Sequence, residues 1–552
     1  MKKTIFFLVL VLLGSQFVGA ENPKYEFRAT WLTGNGIDWP KSHNVVQQKE
    51  SLCKILDVMA KGNMNAACLQ VRSFSDAMYK SSYEPWSASL TGSRGGDPGY
   101  DPLAFAIEEA HKRGIELHVW VNPFRVTSSG VLDTTDLTWK NAGKWIIKYN
   151  NSSFKGQIID PGYPEAREYV HKVCMEIINN YDVDGIVMDD YFYAYGGTYS
   201  EDAASKALYK PSNVKDVDKD GSTDDDWRRA NVDSVICNLY KAIQEVKPWV
   251  RFGMGVPGNW SMKANAAAAY GATDADAGLS GYGDGVVEIQ RQIDANRDNL
   301  SSGYTGSVFY NTTAYMQLFH DLKASHFKHK SLPPAMDWKG KERLTAPTDF
   351  VQNDTLLSWS HPTAERFTLY AYPRGMNLED VLANSQYLKK IVYGNTYNMT
   401  GLGDISLLSI AVCAYDRYGI EHEVAVFDGE GFYDYPQVIF WELDGGTVDV
   451  ELPKYVTETY ILPVARKEGY EFGGWYKTKT FRGAPMTELV EGWHGTLYAR
   501  WKKTSTDVHT TIAPSKTMVY DMMGRYVGCE IPSDKHGVFV VVMGTQQYKI
   551  VL

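Results

Sequence analysis

Asp189 and Asp190 follow the apolar run Gly185–Met188, and Tyr191 comes directly after them. Asp76 and Glu84 follow a second apolar run, Ala66–Val71, with Arg72 at its end. A third run, Glu116–Val121, contains His118 and leads into Asn122 and Arg125. Trp39 follows an earlier apolar run, Phe27–Leu32, and Trp86 stands just past Glu84. Carboxyl groups close to amides, guanidinium groups and aromatic faces suit glycoside cleavage. One carboxyl protonates the leaving oxygen, and the other attacks the sugar carbon or activates a water. Aromatic rings offer the apolar faces on which sugars stack.

Each of these residues also has a plain structural reading. Neighbouring residues of a strand face opposite ways, so one of Asp189 and Asp190 points into a cleft while the other caps the following loop. Asp76 and Glu84 are candidates for the general acid, or for loop-capping contacts. Arg72, His118, Asn122 and Arg125 either bind a sugar and orient the carboxylate, or brace the interior of the fold. Trp39, Trp86 and Tyr191 either stack on sugar or pack beneath loops. A separate motif, Asp216-Val-Asp-Lys-Asp-Gly221, matches the start of a calcium loop, with Asp216, Asp218 and Asp220 as alternate oxygen ligands. The twelfth position is Trp227 instead of Glu, so Asp224 to Asp226 would supply the missing carboxylate. The other reading of this run is a solvated acidic loop. No organic cofactor is implied; the expected metal is a structural calcium.

The elements that must position these groups come from an alternating pattern. Apolar strands are expected at Phe27–Leu32, Ala66–Val71, Glu116–Val121, Gly185–Asp189, Arg251–Val256 and Gly306–Tyr310. Helices are expected between them, at Val45–Lys61, Pro102–Arg113, Pro164–Tyr181 and Trp227–Val246. Such an order predicts an α/β fold with parallel strands and helical crossovers, either a (β/α) barrel or an open doubly wound sheet. In a barrel, function sits at the C-terminal ends of the strands, which is where the candidate residues lie. No Gly-rich phosphate loop follows the first strand, which argues against dinucleotide binding. Six strands fall short of eight, and the stretch between Val256 and Gly306 leaves no room for two more strand–helix units. The barrel is therefore expected to be incomplete.

At 552 residues the chain should hold several domains. Charged residues make up 22%, which excludes a mainly disordered chain, and the net charge of −10 excludes the basic footprint of a nucleic-acid binder. Residues 1–20 read as a secretory signal, with Lys2 and Lys3 ahead of an apolar stretch and Val18-Gly19-Ala20 as a cleavage site. That predicts a periplasmic, cell-surface or secreted protein with no transmembrane segment. The six cysteines form no C-x-x-C pair and read mostly as buried thiols. After a barrel over 21–335, the texture becomes β-rich, with units expected at 340–430, 436–503 and 504–552.

Long phrases carry a family resemblance. The runs GNMNAACLQVRSFSDAMYK and DPLAFAIEEAHKRGIELHVWVNPFRV, followed by DGIVMDDYFY and WRRANVDSVI, resemble the glycosyl hydrolase-like family that was formerly a domain of unknown function. That family is similar to (β/α)8 glycosidases, and the resemblance implies a glycosidase acting on a bacterial polysaccharide, with peptidoglycan glycan strands in view. It places Asp189 where the similar α-amylase-type barrels keep their nucleophile. The chain departs from the family pattern at GMGVPGNW, which offers no Glu for the acid. The usual Pro-Gln-x-Tyr-Trp phrase is absent as well. These departures keep a second reading open, a non-catalytic glycan-binding protein descended from such an enzyme. Further on, AVCAYDRYGIEHE resembles a fibronectin type III domain. The phrases FWELDGGTVDVEL and KEGYEFGGWYKTKTF resemble the Listeria–Bacteroides repeat. The terminal GVFVVVMGTQQYKIVL resembles the C-terminal sorting domain of Bacteroidetes secretion, which implies export beyond the periplasm.

Overall fold

The six expected apolar runs become parallel strands, five of them buried on both faces and the one at the sheet edge, Arg251–Met254, only partly. They are β1 (Phe27–Leu32), β2 (Ala66–Arg72), β3 (Glu116–Val121), β4 (Gly185–Met188), β5 (Arg251–Met254) and β7 (Gly306–Phe309). A two-residue strand, β6 (Ala272–Thr273), lies beside β7. The sheet order is β5-β4-β3-β2-β1-β7-β6, parallel throughout. The computed structural model describes residues 22–127, 142–150, 155–189, 192–193, 201–217, 219, 221–255, 272–273, 286–298, 305–340, 343–428, 439–453, 456, 458–490, 493 and 495–503, with strand backbones within 518–551. Among these residues no ladder joins the β5 and β6 edges. The sheet is a curled half-barrel, and β6 is a trace of strand where the sequence pattern showed none.

Two cores follow from the period of two along each strand. Ala29, Trp31, Ala66, Cys68, Trp120, Val187 and Val308 pack together on the concave face. Ala67, Leu69, Leu117, Val119, Ile186 and Met188 face outward, into one continuous core with the helices. These helices are α1 (Val45–Lys61), α2 (Pro102–Lys112), α3 (Pro164–Asn180), α4 (Thr223–Val246), α5 (Val286–Asp298) and α6 (Thr312–Ala324). Their starts are chemically marked. Asn44, Asp101 and Asn311 accept hydrogen bonds from backbone amides in the first turns of α1, α2 and α6, and Pro102 and Pro164 occupy opening positions. α4 begins four residues before the expected Trp227, because Ser222 caps it and Asp224, Asp225 and Asp226 suit the positive end of its dipole. Among the described residues no helix is long and apolar enough to cross a membrane.

After β3 the chain adds a small antiparallel sheet of Arg125–Thr127, Ile146–Asn150 and Lys155–Ile159. Residues 348–427 form two further antiparallel sheets. One holds Thr348–Asn353, Leu356–Ser360 and Thr396–Asn398; the other holds Leu388–Tyr393, Arg366–Pro373, Leu408–Tyr415 and Glu421–Phe427. Leu357, Trp359, Phe367, Leu369, Ile410 and Val412 fill the space between them. The outer face of the four-stranded sheet covers the N-terminal end of the half-barrel.

Asp184, just ahead of β4, holds that junction together. It accepts from Arg366 at 2.8 Å, from the Leu117 amide at 2.8 Å, and pairs with His111 at 2.8 Å. His111 stacks on Tyr393 at 4.0 Å, and Arg366 lies over the same ring at 4.7 Å. A second compact unit, Trp441–Trp493 with Leu497–Leu552, has its own pairing of Tyr470–Tyr476 with the strand ending at Lys503. There Trp475 is buried against Trp441 at 5.1 Å and donates to Pro463 O at 2.6 Å, a packing role. Within the same unit, strands 518–521, 526–528, 538–543 and 546–551 form one antiparallel sheet. Cys68, Cys174 and Cys413 are buried free thiols, Cys53 is half-buried and Cys237 is exposed.

Arg366→Ala leaves Asp184 buried with fewer partners. It is expected to lower the unfolding free energy by about 3–5 kcal/mol in urea titrations. Burial alone would raise the Asp184 pKa, but Arg366 and His111 hold it well below the usual carboxylate range. The stability it adds is therefore complete above the ordinary Asp value of about 3.9 and is lost as pH falls toward the folded-state value. Asp184→Asn should flatten the stability curve below about pH 4, measured the same way.

Candidate active site

At the C-terminal end of the concave face, β1 to β4 bring four residues into one line. The Gly34 amide donates to Gln70 Oε1 at 3.0 Å, and Gln70 Nε2 donates to Asn122 Oδ1 at 2.7 Å. Asn122 Nδ2 then donates to Asp189 Oδ2. Alternation along the strands sets this up. Gln70 continues the inward series Ala66 and Cys68, Asn122 continues His118 and Trp120, and Asp189 continues Gly185 and Val187. Gln70, Asn122 and Asp189 are all buried, with Asp189 retaining 8% exposure. Trp31 and Trp120 meet edge to face at 5.0 Å within the same concave cluster. A Cβ on Gly255, just past β5, would lie 3.6 Å from both the Trp31 ring and the Asp189 backbone, so the concave face curls over this point.

Arg72 fixes the β3 end of that line. Its Nε and one terminal nitrogen bind Glu84 at 2.8 and 2.5 Å, and the other terminal nitrogen donates to the carbonyls of Asn122 and Pro123. Tyr169 on α3 donates to the same Glu84 at 3.0 Å. Both charged side chains are fully buried. Glu84 is thus committed to an ion pair. Asp76 is committed to a loop: it accepts from the Phe74 amide at 2.8 Å and stands 4.0 Å from Arg94.

Other expected residues are placed elsewhere. His118 pairs with Glu116 at 3.0 Å and rests on Gly185, where a Cβ would clash with its ring at 2.4 Å. It lies four residues below Asn122 on β3, about 13 Å away along the strand. Arg125 lies 5.5 Å from the Phe74 ring, and its carbonyl accepts from Ser75. Trp39 is buried in the helix-side core, and Trp86 packs half-buried against that same core. Asp190 and Tyr191 lie outside the described residues.

The acidic loop divides in the same manner. Asp216 accepts from the Gly221 amide at 3.0 Å, while Asp218 and Asp220 lie outside the described residues. Asp224 is engaged by Lys206 and Lys210, whose hydrogen bonds lower its pKa to about 2. Two ammonium groups already neutralise it, which leaves it a poor cation ligand. Among the described residues no group of three or more His, Cys, Asp or Glu could hold a metal ion.

Sequence reasoning passed over two carboxyls at this end. Asp38 ties the loop after β1 to α6, accepting from Thr33 and from Thr313 at 2.6 to 2.9 Å. Asp160 ends the strand Lys155–Ile159, and the Ile159 amide donates to Phe124 O at 2.7 Å. That bond puts Asp160 beside the backbone that follows Asn122. Asp160 is buried and accepts from the Gly162 amide at 2.7 Å. Burial pushes its carboxyl up to about 6, with Asp202 nearby adding to the rise. A carboxyl that keeps its proton up to about pH 6 is suited to acid catalysis. The sequence signal for it was faint, an Asp-Pro-Gly turn just ahead of α3.

Residues 26–293 match the family described as Glycosyl hydrolase-like 10. The chain is 35% identical over 329 residues to the glycosyl hydrolase YngK of Bacillus subtilis, covering 57% of this chain and 62% of that protein. It is 32% identical over 260 residues to the glycosyl hydrolase DigH of Escherichia coli, covering 43% of this chain and 56% of that protein. The chain therefore spans about three-fifths of the length of these relatives. Among solved structures, alpha-L-fucosidase isoenzyme 2 from Paenibacillus thiaminolyticus aligns at 11% identity and a TM-score of 0.36, over 72% of this chain and 77% of that one. The curled sheet and its helices have a glycoside hydrolase-type fold.

The commitment of Glu84 to Arg72 is open to a direct check. Glu84→Gln should lower the urea unfolding free energy by about 3–5 kcal/mol, because it leaves a buried guanidinium without its counter-charge. A variant that keeps wild-type stability would remove Glu84 from the scaffold and return it to the list of acids.

Proposed function

We propose that this chain is an exported glycoside hydrolase that cleaves a bacterial polysaccharide. Peptidoglycan glycan strands are the first substrate to test. The observation that carries the proposal is Asp189, held by Asn122 at the C-terminal end of the concave face, where barrels of this kind do their chemistry. The match of residues 26–293 to a glycosyl hydrolase-like family supports it, as do the two relatives named glycosyl hydrolases. In this reading Asp189 faces the sugar carbon, and Asp160 supplies the proton to the leaving oxygen. The signal-like residues 1–20 support export. An ion at the Asp216 loop would act only as a structural brace.

A second reading is favoured by one set of contacts. Asp76 and Glu84, the other carboxylates expected near the cleft, are taken up by a loop cap and an ion pair. A glycan-binding protein without turnover would look the same at those positions.

Release of reducing ends from purified glycan strands separates the two. Wild type should turn over, and Asp189→Asn should lower kcat by about 10³-fold. Asp160→Asn should also lower kcat and remove the loss of activity as pH rises through about 6, the point where Asp160 gives up its proton. Binding without product, equal in wild type and Asp189→Asn, would establish the binding protein instead.

A further inference from the structure

We infer that Gly34, Gln70 and Asn122 form a one-way hydrogen-bond relay that holds Asp189 as an acceptor, which makes Gln70 a positioning residue for the reacting carboxylate and assigns the proton-donor role to another group. The inference rests on the reading of Asp189 as that carboxylate.

The direction of the relay follows from its first member. A backbone amide can only donate, so Gly34 requires the oxygen of the Gln70 carboxamide to face it. That leaves the Gln70 NH2 group for Asn122, 2.7 Å away. Asn122 must then present its own oxygen to Gln70, and its NH2 group turns to Asp189. Neither amide orientation is a free choice, since both are dictated by one backbone hydrogen. Donation to a carboxylate favours the charged form over the protonated one. Asp189 is thereby set up to attack or to stabilise positive charge at the sugar carbon.

The surroundings keep the relay from swinging. A Cβ on Gly34 would fall 2.3 Å from the Gln70 carbonyl oxygen, so only glycine lets that amide come so close. The Asn122 backbone is pinned on both sides, its amide donating to Arg72 O at 2.9 Å and its carbonyl accepting from the Arg72 guanidinium. Gln70 is 1% exposed and Asn122 0%, so bulk water has no access to replace a lost partner. A relay satisfied at every link fixes one arrangement, because each alternative leaves a buried donor or acceptor unpaired.

Two substitutions at Gln70 test polarity separately from shape. Gln70→Met fills the same volume without either hydrogen bond. Gln70→Glu keeps the shape and the acceptor for Gly34 but cannot donate to Asn122. On glycan strands both should lower kcat by about 10²-fold while KM changes less than about twofold. In both, the acid limb of the pH profile should move up by about one unit, since the carboxylate loses an aligned donor. Gln70→Glu with wild-type kcat and an unmoved acid limb would overturn the relay. A readout independent of turnover is the urea midpoint in a double-mutant cycle of Gln70→Met and Asp189→Asn. The relay predicts that the double variant loses less than the two single losses combined, because the two side chains are linked through Asn122. Additive losses would overturn it. Should Gln70→Met not fold, Gln70→Glu enters the same cycle. If wild type cleaves no glycan, the proposed function fails while the cycle still decides the relay.

Discussion

The Arg72–Glu84 pair is the contact on which the site depends. Burying two full charges is costly, and attraction offsets that cost only when the remaining donors and acceptors are satisfied. Here they are. Arg72 spends its donors on Glu84, Ser75 and the carbonyls of Asn122 and Pro123, and Glu84 takes a further bond from Tyr169. One guanidinium thus joins β2, the end of β3 and the loop carrying Glu84, and that loop is fastened to α3. Asn122 can orient Asp189 only because its own backbone is held there. Burial alone would lower the Arg72 pKa, but Glu84 more than reverses the effect, so the charge that makes these bonds persists.

The two ends of the half-barrel divide the work. At the N-terminal end, charged groups are sealed by the four-stranded sheet, with Asp184 surrounded by Arg366, His111 and a backbone amide. Such a cluster suits a permanent junction. At the other end Gln70 and Asn122 direct their amide hydrogens along a line that ends on the acceptor Asp189, laid across three neighbouring strands. Between the ends lie Trp31, Trp120 and small residues such as Ala29, Ala66 and Cys68. Chemistry at one end is thereby insulated from the structural ion pairs at the other.

Much of this was legible in the sequence where the information was local. The period of apolar runs gave six strands to within about two residues, because two-sided burial leaves a continuous apolar signal. β6 had no such signal, being only Ala272 and Thr273. Asn122 and Asp189 stood out as polar residues at strand ends. Gln70 did not, since a single polar residue inside a strand reads as an interruption until its neighbours are known. Glu84 and Asp224 were read by their own chemistry, as an acid and a cation ligand. Their contacts with Arg72, Lys206 and Lys210 come from residues 12 to 18 positions away, a distance at which spacing says nothing about contact.

The incomplete sheet bears on the site less than a strand count implies. The relay runs from the end of β1 through β2 and β3 to β4, and these strands pair without interruption. β4 also keeps its outer neighbour, with β5 alongside and the Gly255 amide donating to Met188 O at 2.6 Å. The open edges belong to β5 and β6, beyond the last member of the relay on one side and beyond β7 on the other. A closed barrel contributes rigidity to strand ends by pairing each strand on both sides. All four strands that supply the relay already have both partners, since β1 is flanked by β2 and β7. The geometry around Asp189 therefore follows from the continuous part of the sheet, and the open edges act on what the cleft can admit.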